Sequence, residues 1–465
     1  FLMDPAAKEI RLAIDADLQK SMDALARDSV RTLAQTLDPA ISLAILVVDN
    51  ATGEVLARVG SPGYFDQRRA GAIDMTEAIR SPGSTLKPFI YGIGFEDGFI
   101  HPQTLIDDRA QRYGGYAPHD FNFSFAGTVT VRQALEQSLN MPAIAILDRV
   151  GASRLTARLA QAGAILVLPK DQVPGLAIGL GGVGIKLSDL VMLYSGMERL
   201  GTVLPLRERL DRPPAAASRL MSAVAAWYVS DVLAGSPPPP NGIPGRIAFK
   251  TGTSYGYRDA WSVGFDGKYT VGVWVGRPDG APIPGLIGRE GAAPILFNAF
   301  ARLGAPTALP RPPAGVLMRS TADLPPPLRR FRSASAVGGK ARTSLHILFP
   351  PDGARLDLSE TDGKPDAVPL KLGGAVSPVT IFVNGDPLPP QPRGAQFFMP
   401  DGPGFLRVTV VDSTGATDSV LVRIADSRST GLLLRAGDAV LTPTRAPVAC
   451  LPPPCTAPRA AAPAQ

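Results

Sequence analysis

The stretch RSPGSTLKPFIYG (80–92) places a serine, Ser84, three residues before a lysine, Lys87, with Pro82 ahead of the pair and Pro88 directly behind it. Residues i and i+3 share one face of a helix, so a helical pair brings the lysine amine to the serine hydroxyl. Proline has no N–H to donate and is unwelcome inside a helix, yet the first turn tolerates it. Pro88 therefore marks where the helix begins, close to Ser84. The serine then stands at the positive end of the helix dipole, with its backbone N–H available to a developing oxyanion. A lone S-x-x-K is about what chance supplies in a long chain, so the stretch needs support from elsewhere.

Two further stretches supply it. Ser138-Leu139-Asn140 follows in RQALEQSLNMPAI (132–144), and Lys250-Thr251-Gly252-Thr253-Ser254 follows on a predicted strand. The three together, in this order, resemble the signature of penicillin-recognising serine acyl-transferases. On that pattern Ser84 is the nucleophile and Lys87 its base. A lysine of ordinary pKa is neutral about one time in 2,500 at pH 7, a penalty of about 4.6 kcal/mol. Partial burial and a second cation, Lys250, are expected to reduce that penalty. Lys250, Thr251 and Thr253 would attract a substrate carboxylate, with Gly252 and Ser254 completing the substrate-binding segment. Ser138 would relay a proton to the leaving amine, and Asn140 would hold the substrate amide and Lys87. The backbone N–H groups of Ser84 and Thr253 would form the oxyanion hole.

Two other motifs point elsewhere. GTSYG (252–256) fits a G-x-S-x-G elbow with Ser254 as nucleophile, but an elbow needs a strand running into a helix and a histidine downstream. The following YGYRDAWSVGF reads as turn and strand, and of the three histidines, His101, His119 and His346, only the last lies downstream, past a Pro-rich segment. GLGGVG (179–184) fits G-x-G-x-x-G, yet no strong strand precedes it and no acidic residue stands about 20 positions on. Close backbone packing explains it better.

Around these motifs, DADLQKSMDALARDSVRTLAQTL (15–37) reads as an amphipathic helix opened by Asp15 or Asp17. ISLAILVVDN (41–50) and GEVLARVGS (53–61) read as a hairpin, and Asn50-Ala51-Thr52 at its turn fits a glycosylation sequon. Residues 84–235 read mostly helical. RIAFKT (246–251), DAWSVGF (259–265) and YTVGVWVG (269–276) read as strands, the last two joined at Asp266-Gly267. Strands at both ends with helices between predict one α+β domain over 1–305, its antiparallel sheet assembled from distant segments. A Pro- and Arg-rich linker is expected over 306–340. LHILFP (345–350), PVTIFVNGDPL (378–388), PGFLRVTVVD (403–412) and DSVLVRI (418–424) predict a small all-β, sandwich-like domain over 341–428. A Pro- and Ala-rich tail follows over 429–465.

Composition narrows the class. A hydrophobic fraction of 45% with 48 Gly and 47 Pro suits globular domains joined by turns, and a net charge of +6 without basic–aromatic clusters argues against nucleic acid. The two cysteines, Cys450 and Cys455, stand in CLPPPC with no metal-ligand spacing, and either a local disulfide or two thiols fits. No apolar run is long enough to cross a membrane. The chain begins at Phe1 and reads as an internal piece of something longer.

The chain is similar to the transpeptidase part of class A penicillin-binding proteins over roughly residues 10–300. VTVRQALEQSLNMPA, GLGGVGIKLSDLVMLYSGM and YGYRDAWSVGFDGKYTVGVWVGRPDG carry the likeness beyond the three motifs. Arg258-Asp259-Ala260-Trp261 and the β domain resemble the 1C type most. The resemblance implies a β-lactamase-like transpeptidase fold with an all-helical part, no cofactor, and peptidoglycan cross-linking at the periplasmic face of the bacterial inner membrane. Ser84 would attack the D-alanyl-D-alanine end of a stem peptide, D-alanine would leave, and a neighbouring stem's amine would take the acyl group. β-Lactams would leave Ser84 acylated. Members usually carry a membrane anchor and a glycosyltransferase domain ahead; neither is read in this stretch, so glycan polymerisation is not expected of it. Many relatives have Asn where YAPHDFN (116–122) has Asp120. LPKDQVPGL (168–176) offers Asp171 but no Glu–Asn pair of the kind that lets β-lactamases deacylate quickly. The alternatives are a D,D-carboxypeptidase, a β-lactamase-like hydrolase, or a catalytically weak sensor or scaffold. The β domain carries no catalytic constellation, and a glycan or protein partner is expected for it.

Overall fold

Asp15 opens the first helix, α1 (Ala16–Thr36), its carboxylate accepting from the Asp17 and Leu18 amides at 3.0 and 2.9 Å. The computed structural model describes residues 9–109, 125–169 and 173–332, and within 345–425 all but 358–359, 362–363, 366, 390–395, 401 and 414–416. The chain divides into two compact units, Phe1–Val337 and Gly338–Gln465.

In the first unit, β1 (Ser42–Asp49) and β2 (Val55–Val59) form the expected hairpin. The chain then passes through α2 (Lys87–Glu96), the strand pair β3 (Leu105–Asp108) and β4 (Gly127–Thr130), α3 (Val131–Glu136), α4 (Asn140–Val150), α5 (Ala152–Gln161), α6 (Leu187–Glu198), the two-residue strands β5 (Thr202–Val203) and β6 (Ser218–Arg219), and α7 (Ala223–Ala234). It returns to the sheet as β7 (Ala248–Thr253), β8 (Asp259–Phe265) and β9 (Tyr269–Gly276), and closes with α8 (Ala293–Arg302). The sheet order is β2-β1-β9-β8-β7, antiparallel throughout, with β7 on the edge.

Alternation along β1 explains the layering. Leu43, Ile45 and Val47 join the core that α1 and α8 cover, while Ala44, Leu46 and Val48 join the core formed with the helices on the other face. Each of these leucine, isoleucine and valine side chains contributes about 1.5–3 kcal/mol by leaving water. The helical layer holds α2 at its centre, where Phe89, Ile90, Tyr91 and Ile93 are fully enclosed.

Two expectations change. Asn50 is buried, its amide donating to the Asp266 carbonyl at 3.0 Å and its Oδ1 accepting from the Thr270 hydroxyl at 2.6 Å, so the sequon closes a turn and offers nothing to a glycan. The expected linker is fastened to the first unit along much of its course. The Thr307 amide donates to Asp266 at 2.9 Å, Trp227 Nε1 to the Pro310 carbonyl at 3.1 Å, and the Leu317 amide to the Tyr228 hydroxyl at 2.7 Å, and Leu324 is fully buried. Side chains of the first unit satisfy its backbone directly, so this proline-rich segment packs without apolar periodicity.

Among its described residues the second unit has two larger sheets and a two-stranded pair, Glu360–Thr361 with Lys364–Pro365. His346–Phe349, Val368–Gly373 and Gln396–Phe398 form one larger sheet; Arg355–Asp357, Thr417–Ala425, Gly404–Asp412, Val379–Val383 and Asp386–Pro387 form the other. Ile347, Leu370 and Phe398 share one core with Ile381, Val408 and Val422. Asn384 and Gly385, both at positive φ, make the two-residue turn that NG predicts. Cys450, Cys455 and the 429–465 tail lie outside the described residues.

Candidate active site

Ser84 sits in a single 3₁₀ turn, Gly83–Leu86, that runs straight into α2 at Lys87, with Pro88 in the first helical turn. Gly83 adopts φ +54°, and a Cβ there would lie 2.4 Å from the Thr253 carbonyl oxygen and 2.7 Å from the Thr253 nitrogen. A Cβ on Gly252 would lie 2.4 Å from the Pro82 carbonyl oxygen. Glycine at both places lets the serine turn press against edge strand β7, so Ser84 and Thr253 stand on touching backbone.

Behind the turn, Gly181 is equally tight: a Cβ there would lie 2.6 Å from the Gly83 nitrogen. Gly182 and Gly184 are similarly crowded, by Ala177 and by the Ile79 side chain. The GLGGVG stretch is thus a packing surface. Two side chains that the sequence reading did not single out hold the same turn. The Tyr194 hydroxyl donates to the Thr85 carbonyl at 2.7 Å, and Trp261 Nε1 donates to the Ser81 carbonyl at 2.8 Å. Trp261 stood in the quoted RDAW run, but nothing in one sequence says where an indole N–H will point.

The two lysines meet at Ser138. α3 stops at Glu136 and α4 starts at Asn140, so Ser138 and Leu139 occupy the break between helices. Ser138 has φ +61°, the left-handed region, which costs a non-glycine residue about 1–2 kcal/mol. Lys87 is fully buried, and its Nζ donates to the Ser138 carbonyl at 2.6 Å, the Leu139 carbonyl at 3.1 Å and Asn140 Oδ1 at 2.6 Å. The same nitrogen is 3.5 Å from Ser138 Oγ. From the other side, Lys250 Nζ donates to Ser138 Oγ at 2.7 Å and to the Thr251 carbonyl at 3.0 Å. Lys250 is 3% exposed, and burial pushes its ammonium from 10.5 down to about 7. Below pH 7 that burial opposes folding, and the opposition is relieved as pH rises towards the ordinary lysine range, because the fold binds fewer protons than the unfolded chain.

Ser84 and the side of β7 that faces it are less enclosed: Ser84, Thr251 and Thr253 are all half-buried. Thr253 Oγ1 accepts from the Gly288 amide at 3.0 Å. Ser254 differs. It is 4% exposed, donates to Asp259 Oδ2 at 2.9 Å and accepts from the Asp259 amide at 2.8 Å. Asp259 Oδ1 in turn accepts from Trp274 Nε1 at 3.0 Å, and burial pushes the Asp259 carboxyl up. The Ser254 hydroxyl therefore ties the β7–β8 turn and is withdrawn from the groove. It is placed neither as an elbow nucleophile nor as a side-chain contact for substrate, and the chain beyond it enters β8 instead of a helix. Asp120 and Asp171 lie outside the described residues.

Parts of this chain are similar to known proteins. Residues 43–164 match the penicillin binding protein transpeptidase domain, and residues 334–424 match the Penicillin-Binding Protein C-terminus Family. The chain is 41% identical over 292 residues to penicillin-binding protein 1C of Escherichia coli K12, covering 62% of this chain and 37% of that protein. It is 26% identical over 306 residues to penicillin-binding protein 1B of Vibrio cholerae, covering 60% of this chain and 38% of that one. The chain thus spans little more than a third of these curated relatives. Among solved structures, the penicillin-binding protein PonA1 of Mycobacterium tuberculosis shares the fold at a TM-score of 0.56 and 20% identity, over 68% of this chain and 92% of that one. Penicillin binding protein 3 of the same organism does so at 0.53 and 23%, over 67% and 82%.

Proposed function

The chain carries a penicillin-binding protein transpeptidase domain followed by a penicillin-binding protein C-terminal domain, and on that premise we propose that it is a peptidoglycan D,D-transpeptidase working through a Ser84 acyl-enzyme. The observation that carries the proposal is Ser138 Oγ, bonded to Lys250 at 2.7 Å and 3.5 Å from Lys87, beside a serine turn pressed against β7.

Lys87, as the neutral amine, takes the Ser84 proton as Oγ attacks the carbonyl of the terminal D-Ala-D-Ala bond of a stem peptide. The developing oxyanion lies between the Ser84 and Thr253 amides at the positive end of the 3₁₀–α2 run. Lys250, Thr251 and Thr253 hold the terminal carboxylate, and Gly252 lets the serine turn sit close against β7 while substrate backbone lies along that strand's edge. The C–N bond breaks, and Ser138 passes a proton to the leaving amine of D-alanine. An acceptor stem's amine then attacks the ester, its proton returns through the same groups, and Ser84 is restored. Asn140 keeps Lys87 aimed and receives the donor amide. Ser254 acts through the turn it ties. No cofactor enters these steps. Among the described residues no helix is long and apolar enough to cross a membrane. A periplasmic place beside the inner membrane, with membrane anchoring outside this stretch, follows from the reaction proposed.

A β-lactam replaces the stem peptide in the first half of the cycle. Incubation with benzylpenicillin is expected to add the drug's full mass to the chain, with the modified peptide mapping to Ser84 and persisting for many minutes. Rapid return to the unmodified mass would identify a hydrolase, and a label on another residue would remove Ser84 from the mechanism.

Lys250 also predicts a pH dependence. Its ammonium titrates near 7 in the empty site, whereas the penicillin carboxylate stays ionised far below that. The second-order acylation rate should fall as pH rises above about 7, approaching tenfold per unit. Lys250→Arg, which keeps its charge, should flatten that limb. An unchanged alkaline limb in the arginine variant would assign the titration to another group.

A further inference from the structure

Three long strands of the second unit, Val379–Val383, Gly404–Asp412 and Thr417–Ala425, lie side by side. Their alternate residues Ile381, Leu406, Val408, Val410, Val420 and Val422 fill the core between the two sheets. The other face of an antiparallel sheet is ordinarily polar. Here it carries Phe405, 66% exposed, and Leu421, 38% exposed, between the exposed side chains of Arg407 and Arg423. Register sets Phe405 opposite Arg423 and Arg407 opposite Leu421. The Arg423 guanidinium lies over the Phe405 ring, 5.7 Å from its centroid.

The acidic residues of these strands have the opposite parity. Asp412 Oδ2 accepts from the Val376 amide at 3.1 Å, and Asp418 Oδ2 accepts from the Ile347 amide at 2.7 Å. No outward position of these three strands carries a carboxylate, and Asp357 of the neighbouring strand shares their outward parity only at the sheet's end, opposite Ala425, so the middle of the face is cationic and aromatic at once. A phenyl ring two-thirds exposed on a sheet face is available to stack on the C–H face of a sugar. Its arginine neighbours are forked donors that match carboxylates.

We propose that this sheet face binds peptidoglycan strands, Arg407 and Arg423 pairing with carboxylates of the stem peptides and Phe405 stacking on a sugar ring. The choice of polymer rests on the transpeptidase reading above, which makes peptidoglycan the substrate of the same chain. The ligand's two features, anionic peptides on a sugar backbone, complement the two features of the face. Binding here would hold the chain on the polymer while the donor and acceptor stems exchange in the Ser84 groove.

The test uses the full chain, with Ser84 acylated beforehand by benzylpenicillin so that the groove is occupied. Co-sedimentation with purified sacculi gives the apparent affinity. Arg407→Glu with Arg423→Glu is expected to weaken it on the order of tenfold or more. Phe405→Ala should weaken it at unchanged charge, and the double lysine variant should retain most of the binding. Raising the salt towards 1 M, where the screening length falls to about 3 Å, should weaken the wild type more than the double glutamate variant. Thermal unfolding of each variant shows whether the second unit is intact; if the glutamate pair unfolds it, Phe405→Ala alone decides. Unchanged sedimentation of folded variants overturns the proposal. So does an arginine-dependent affinity for phosphatidylglycerol vesicles with none for sacculi. Failure of penicillin to label Ser84 in a chain that still binds sacculi through Arg407 and Arg423 would instead overturn the transpeptidase reading and leave this one standing.

Discussion

Ser84→Ala is expected to yield a folded chain that no penicillin labels, with covalent acylation reduced on the order of 10⁴-fold or more. The size of the effect follows from the absence of a substitute among the described serines around the turn. Ser81 Oγ donates to the Gly181 carbonyl at 2.7 Å, and Ser254 is buried against Asp259. Ser138 is occupied by the two lysines and acts with them on protons. The alanine removes one half-buried oxygen, so thermal stability should barely change. Lys250 and the threonines remain, and the variant should still bind benzylpenicillin reversibly, seen as a ligand-dependent rise in melting temperature. Persistent covalent labelling would show that the nucleophile lies elsewhere.

Lys87→Met should be nearly as damaging to acylation, by about 10²–10⁴-fold, the range that a positioned base contributes. It should also differ from Ser84→Ala in stability. Methionine fills much of the lysine's volume but leaves the Ser138 carbonyl, the Leu139 carbonyl and Asn140 Oδ1 without this donor. Each acceptor that loses its donor away from water costs up to about 1–3 kcal/mol, and the left-handed Ser138 loses one of the two lysines that hold it. A lower denaturant midpoint together with slow acylation is the expected signature, measured by urea titration and by stopped-flow labelling. Full stability with slow acylation would confine Lys87 to chemistry. Full acylation would remove it as the base.

The sequence reading reached those parts of the fold that local pattern controls. α1, the β1–β2 hairpin, β8 and β9 emerge where apolar period and turn residues place them, because each is an uninterrupted pattern. β7 runs on through Lys250-Thr251-Gly252-Thr253, beyond the apolar residues that first marked it, because pairing with β8 supplies its ladder whatever its side chains. In the second unit Arg355–Asp357 was missed; it pairs in parallel with Thr417–Ala425, a long-range contact with no local signal. Val368–Gly373 was missed as well, and Pro369 within it disguises a strand. At the site, spacing pointed to Ser84, Lys87, Ser138, Asn140 and Lys250, and the fold joins the last four by hydrogen bonds. Spacing gave no warning that Ser138 would be left-handed or that Ser254 would turn inward to Asp259. Both depend on what tertiary neighbours demand of a backbone, and the chain bears no mark of that until it is folded.

On the proposed Ser84 mechanism, the back-to-back glycines carry an evolutionary consequence for any β-lactam that acylates this chain. Gly83 is closed on one side by Thr253 and on the other by Gly181, and Gly252 by Pro82. A mutation adding even a methyl group at these places would force the nucleophile turn away from β7, and so would harm the native reaction along with the drug. Escape from β-lactams by point mutation is therefore steered to the rim, where Tyr255 is 97% exposed and side chains can change size without moving Ser84. Resistance in this protein should accumulate as reshaped edges around an unaltered centre.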